Sequence, residues 1–260
     1  MDLFHADPAL IFSFLLTFFR ISLLVFLLPF FGGEGVPTMV KGALCLVLSF
    51  AVWPTLSFEG IAFPAHPFSL ALMLGSELIL GLTIGLVIKF IFAAIQTGGM
   101  LIGFQMGFSM VNVVDPDSGV SESVTSHFLY MIALMTFLSL NGHIYLLHAL
   151  SMSFTFIPPG GLVINPHLFK GIIGLSSQIF VLAIKIASPV MIAIFLVDLA
   201  LALISRAAPQ MNVLIVGFPI KIAVGFMFLG IIFSIVSLFM HGFVAAIIPT
   251  YQNLLGPAGP

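Results

Sequence analysis

The side chains able to do chemistry in this sequence are few, and most stand alone in apolar surroundings. Arg20, Glu77, Lys185 and Asp198 interrupt runs that are otherwise uniformly apolar. A charge at the centre of a helix in lipid costs at least ~2.5 kcal/mol, so each is expected to be buried against protein or to face water. Lys185 and Asp198 lie about 220° apart around an ideal helix and do not pair within it. Their partners are expected elsewhere in the chain or on other chains. Such charges serve as glue between helices, as water-lined or gate positions, or as a proton or ion relay. A relay needs several acids converging near the midplane. Only Glu77 and Asp198 are candidates, so glue is the favoured reading.

The remaining candidates assemble no catalytic site. His143 and His148 are five residues apart and share no helix face, HExxH is absent, and no His/Cys/Asp cluster has metal-ligand spacing. Asp115 and Asp117 resemble half of a calcium loop but lack the later ligands. No serine sits in a nucleophile-elbow glycine pattern, and neither a P-loop nor GxGxxG is present. Cys45, the single cysteine, lies in an apolar run and reads as a small core residue rather than a reactive thiol. No cofactor, no metal and no enzymatic activity are expected.

The stretch Gln96–Gly119, QTGGMLIGFQMGFSMVNVVDPDSG, carries the clearest pattern. Gly99, Gly103 and Gly107 are four residues apart and fall on one helical face, which lets another helix approach to backbone contact. The segment then turns polar at Asn112 and reads Asp115-Pro116-Asp117-Ser118-Gly119. Proline fixes φ, aspartate bonds its own backbone and glycine permits φ > 0, so this is a turn. It is a surface turn between two membrane helices or a loop that lines, gates or plugs a path. Met100, Met106 and Met110 flank it; flexible thioethers suit a deformable seal and equally serve as gap fillers.

The elements that must position these residues follow from composition. The chain has 260 residues, 61% hydrophobic and 6% charged, with mean hydropathy +1.29. Soluble domains carry about 25% charged residues, so this is an integral membrane protein. Net charge is −2, which leaves no electrostatic footprint for nucleic acid. Apolar segments run over Ala9–Phe31, Met39–Leu56, Phe68–Ile95, Val124–Ile157, Gly171–Ile204 and Val213–Ile248. Each is long enough to cross a hydrocarbon core, which takes about 20 helical residues, and no period-2 alternation argues for strands. The expected fold is all-α, with long kinked helices and helical hairpins. The last two segments overrun a single crossing, and Pro189 and Pro219 offer kinks. Trp and Tyr together number four against 29 Phe, so the interfacial aromatic belt is weak. The N-terminus lacks the positive region of a secretory signal, and the first apolar segment is expected to remain in the mature protein. Lys41, Lys89 and Arg206 share one side if the N-terminus lies on the other, with Lys170 the exception.

Two motifs resemble one family. The first is the Gln96–Gly119 stretch followed by Asn141-Gly142-His143 and by Ser153-Phe154-x-x-Ile157-Pro158-Pro159-Gly160. The second is Ser205-Arg206-Ala207-Ala208-Pro209-Gln210-Met211-Asn212-Val213, continuing to Gly217-Phe218-Pro219-Ile220-Lys221. With Phe19-Arg20, Pro29-Phe30 and Glu77-x-x-x-Gly81-x-x-x-Gly85, they resemble the FliR family of flagellar export-gate proteins, whose virulence counterparts are the SctT proteins. The resemblance covers nearly the whole chain.

The resemblance implies a structural and gating subunit of a type III protein export channel in the bacterial inner membrane, at the flagellar basal body. It implies a helical assembly with FliP and FliQ subunits, FlhB and FlhA completing the gate, and unfolded flagellar proteins as cargo. A FliP-like portion would cover about 1–170. A FliQ-like hairpin with a C-terminal tail would cover 171–260, its tip at Arg206–Pro219. The loop Phe108, Ser109, Met110, Val111, Asn112, Val113, Val114, Asp115, Pro116, Asp117 to Gly119 would plug the channel beside a methionine ring from neighbouring FliP chains. Arg206, Gln210, Asn212 and Lys221 at the hairpin tip would contact a partner such as FlhB or FliQ. The alternative, a secondary transporter or small-solute channel, calls for inverted repeats with broken helices meeting at the midplane. The breaks here form no symmetric pair.

Overall fold

The computed structural model describes residues 8–31, 36–56, 64, 66–108, 113–114, 121–162 and 166–256. Among the described residues there are seven α-helices: α1 (Pro8–Leu27), α2 (Thr38–Val52), α3 (Pro67–Met106), α4 (Val124–Ser139), α5 (Gly142–Phe156), α6 (Pro166–Ala207) and α7 (Val213–Leu255). A 3₁₀ turn, Trp53–Thr55, extends α2. A short antiparallel ladder pairs β1 (Val113–Val114) with β2 (Ser121–Glu122), Val113 opposite Glu122 and Val114 opposite Ser121. The protein is an all-α integral membrane protein. By length and composition, α1, α2 with its 3₁₀ turn, α3, α6 and α7 can each cross a membrane.

Local chemistry explains where the helices start and stop. Helices α1, α3 and α6 each begin on a proline, whose fixed φ suits the first helical position and whose missing N–H would have had no partner there. Gly107 (φ 87°) follows the last residue of α3, and Gly160 (φ 78°) lies beyond α5. The expected single run Val124–Ile157 is divided. Asn141 takes φ 57° and ψ 28° between α4 and α5, a left-handed conformation that asparagine tolerates and that no helix continues through. Helix α3 instead runs past the end of its apolar segment at Ile95 and absorbs six glycines over its 40 residues. Pro189 lies inside α6. It cannot donate to the Lys185 carbonyl, and the Ser188 hydroxyl donates to that carbonyl instead, at 3.0 Å.

The chain divides into two compact units, one of residues Met1–Phe90, Asn141–Ser176 and Ala245–Pro260, the other of Ile91–Leu140 and Ser177–Val244. Within the first, Arg20 and Glu77 are fully buried and form a two-pronged ion pair: Nε donates to Oε2 at 2.6 Å and Nη2 to Oε1 at 3.0 Å. Nη2 also donates to the Ile157 carbonyl at 3.1 Å and Nη1 to Ser153 Oγ at 3.3 Å. The Gly160 N–H donates to Glu77 Oε1 at 2.8 Å, and the Phe154 ring lies 4.0 Å from the guanidinium carbon. The approach needs glycine on α3. A Cβ at Gly81 would lie 2.6 Å from the Arg20 carbonyl oxygen, and one at Gly85 2.5 Å from Leu27 Cδ1. Elsewhere in this unit the Trp53 indole donates to Ser13 Oγ at 3.0 Å, and the buried Tyr251 hydroxyl donates to the Ile84 carbonyl at 2.5 Å.

Within the second unit, Phe92 packs edge-on against Tyr130 and Phe137, and Phe128 against Phe233. Fully buried Met106 fills the space beside Gly225, where a Cβ would come within 2.5 Å of its sulfur.

Removing one member of the buried ion pair strands the other in a dry site, a loss of ~3–5 kcal/mol. Arg20→Met is therefore expected to lower the melting temperature of the detergent-purified protein markedly. The double replacement Arg20→Met/Glu77→Met is expected to recover most of that loss, and thermal unfolding of the two variants side by side checks both.

Candidate functional site

The candidate site is the pair of stems that carries the loop after α3. The first stem is the C-terminal third of α3. Its helix ends at Met106, and the Gly107 N–H closes the last turn on the Phe104 carbonyl at 3.1 Å. A Cβ at Gly107 would meet the Phe218 ring at 2.7 Å. Gly107 thus terminates the helix in a left-handed conformation instead of extending its packing face, which corrects the expectation from the four-residue spacing. Phe108 follows, its ring edge-on to Phe226 at 6.3 Å.

The second stem is β2 and the start of α4. Thr125 Oγ1 donates to the Gly99 carbonyl and Ser126 Oγ to the Gln96 carbonyl, both at 2.8 Å. Ser123 Oγ lies 2.7 Å from Thr125 Oγ1. Thr125 has one proton and gives it to Gly99, so Ser123 is the donor in that pair. Ser123 is the residue preceding α4, yet its hydroxyl makes no capping bond to the helix backbone. Absence of side chains on α3 permits these contacts. A Cβ at Gly99 would lie 2.6 Å from Ser126 Cα, a backbone atom that cannot step aside. One at Gly103 would collide with Ser123 Oγ and Thr125 Oγ1, and one at Gly98 would lie 3.1 Å from the Ala183 carbonyl oxygen on α6.

Of the residues assigned to the loop, Phe108, Val113 and Val114 are among those described. Ser109, Met110, Val111, Asn112, Asp115, Pro116, Asp117 and Gly119 lie outside the described residues. The hydroxyls of Ser123, Thr125 and Ser126 were not anticipated. Their signal is the run SESVTS directly after the acidic turn, polar residues where the sequence is about to become apolar again.

The four isolated charges do not share one environment. Arg20 and Glu77 are fully buried. Asp198 is 44% exposed at its side chain and pairs with Lys221 Nζ at 2.6 Å. Lys185 is exposed. Of the two settings expected for such charges, Arg20 and Glu77 show burial against protein, whereas the faces of α6 that carry Lys185 and Asp198 are left uncovered by this chain.

At the hairpin tip, Arg206 lies in the last turn of α6, where a cation complements the helix dipole. Arg206 and Gln210 are exposed. Asn212 Oδ1 accepts from the Leu214 N–H at 3.2 Å and so caps the start of α7. Lys221 is engaged by Asp198, and the two flank a cleft of about 190 Å³ lined by Leu201, Leu214, Gly217 and Phe218. Among the described residues, no group of three or more His, Cys, Asp or Glu side chains could hold a metal.

The described residues thus offer long apolar helices and a helix pair closed over glycine. The chain matches the family described as bacterial export proteins, family 1, over residues 11–247, and it belongs to that family. It is 35% identical to the flagellar biosynthetic protein FliR of Bacillus subtilis over 251 residues, 95% of this chain and 96% of the relative. Identity to the FliR of Escherichia coli is 31%, over 85% of this chain and 84% of the relative. Yop proteins translocation protein T of Yersinia pestis is 30% identical over 72% of each chain.

Gly99→Ala is expected to cost ~1–3 kcal/mol, since the added methyl forces α4 away from α3. Gly75→Ala on the same helix, with nothing within 4 Å of the added carbon, is expected to be neutral or to stabilise by up to about 1 kcal/mol. Comparison of the two melting temperatures checks the contrast.

Proposed function

We propose that this chain is the structural and gating subunit of the flagellar type III protein export channel, assembling with FliP and FliQ into a closed gate through which unfolded flagellar proteins pass. The observation that carries the reading is the match over residues 11–247 to an export family, whose relatives include proteins named for flagellar biosynthesis and for Yop translocation. The chain acts by forming and closing a path, not by catalysis. Energy for export comes from the proton motive force and a separate ATPase, and FlhB and FlhA complete the gate in the bacterial inner membrane. Residues 1–170 form the FliP-like portion and 171–260 the FliQ-like hairpin.

The segment from Phe108 to Gly119 is the plug in this reading. Supporting it is the way both flanks are fixed: α3 ends in a glycine cap, and α4 starts bonded by two hydroxyls to α3 carbonyls. A short segment obstructs a channel only if its ends cannot drift, and these flanks meet that requirement. The uncovered apolar surface supports assembly. Only 28% of the apolar window in α6 and 22% of that in α7 is buried within the chain, against 56% in α3.

Deleting Met110–Pro116 is expected to leave the co-expressed complex assembled but leaky to ions in planar bilayers. An assembled complex that stays tight after the deletion removes the plug role. A photocrosslinker at Gln210 is expected to capture FlhB or FliQ in the assembled apparatus; capture of neither would sink the contact assigned to the hairpin tip.

A further inference from the structure

Two of the isolated charges on the long helices are accounted for within the first unit, where Glu77 is taken by Arg20. In the second, Asp198 is taken by Lys221. Lys185 is different. It lies 19 residues after the first residue of α6 and 22 before the last, is exposed, and no described side chain offers it a hydrogen bond or an ion pair. Ser188, one turn on, gives its proton to the Lys185 carbonyl and leaves the ammonium unserved.

The surroundings of Lys185 are apolar along the same face. Val181, Ile192, Leu196, Leu199 and Leu203 are all exposed, each 49% or more. With Lys185 they recur at intervals of three, four or seven residues, the a/d spacing of a helix–helix seam. Any uncovered helix face shows this spacing, and Phe180, Ile184 and Phe195 widen it; the feature that asks for a protein partner is the lone ammonium within it. One polar residue in such a seam sets register and partner choice at some cost in stability. Covered by an apolar helix and cut off from water, an ammonium there is best stabilised by an opposite charge.

We infer that this face of α6 is an interface for an apolar helix of a neighbouring chain in the assembly, and that the partner helix brings an aspartate or glutamate carboxylate to Lys185. The inference rests on the reading of the chain as one subunit of an export assembly. It adds the chemistry of one contact: an apolar seam of about six α6 positions with a single cross-chain ion pair as its register pin.

The test uses the tagged full chain co-expressed with its partner subunits, with the recovered complex as readout. Lys185→Arg is expected to keep recovery within about twofold of wild type. Lys185→Met is expected to lower it about three- to tenfold, and Lys185→Glu more than tenfold, while both variants reach wild-type levels in the membrane. Second-site suppressors of Lys185→Glu that restore motility are expected to replace an Asp or Glu of a partner helix with Lys or Arg. Wild-type recovery of the Met and Glu variants would overturn the proposal. So would wild-type complexes that fall apart in neutral-lipid nanodiscs and persist in phosphatidylglycerol ones, with Lys185→Met indifferent to the lipid; the lysine would then be serving a headgroup. If the wild-type chain itself recovers no partner subunit, the assembly reading fails instead, and the two failures are distinguishable.

Discussion

Arg20 and Glu77 hold each other in a place where neither could remain alone. Both side chains are fully buried, so each charge has given up its water. The loss is tolerated because the partners meet in parallel and nearly every remaining lone pair and proton is taken, by Ser153, the Ile157 carbonyl and the Gly160 N–H. The consequence is directional. Two charged groups with fixed forks define where α1, α3, α5 and the Pro158–Gly161 turn must lie within their unit. Apolar side chains, whose attraction is nondirectional, would leave that packing less specified. The glycines at 81 and 85 follow from the same constraint, since the salt bridge closes only if α3 can approach the α1 backbone.

Much of this was legible from residue types. The spacing Glu77-x-x-x-Gly81-x-x-x-Gly85 puts the acid and two bare positions on one helix face, and the structure uses that face against α1. Helix composition and length gave the long spans. What remained illegible was pairing. Nothing local says that Arg20 goes to Glu77 or Asp198 to Lys221, because their partners are set by which helices pack together. The four-residue spacing of Gly107 continues a helical face, while its backbone has already left the helix. Asn141-Gly142 does not stand out as a break because it lies inside a long segment that is apolar on average. A left-handed asparagine is a backbone event with little hydropathy signature. The exposure of Lys185 was hidden for a further reason: a sequence shows that a charge interrupts an apolar run, not which surface that run leaves open.

Hydroxyl groups do quieter work throughout. Ser and Thr side chains fold back onto carbonyls three or four residues earlier at Ser13, Thr17, Ser49, Thr83 and Thr97, satisfying themselves where water is scarce. Thr125 and Ser126 direct the same chemistry to a different helix. The carbonyls they use belong to a continuous helix, so the joint is made without breaking α3. It holds by geometry and by close approach over bare glycine rather than by exclusive hydrogen bonds.

The bond from Tyr251 to the Ile84 carbonyl spans 167 positions of chain. Synthesis runs from N to C, so α3 leaves the ribosome long before the phenol that will lie against it exists. The first unit, made of the opening 90 residues together with two later stretches, can therefore be completed only near the end of translation. A polypeptide cut short before residue 251 therefore has an earliest part that is still unfinished.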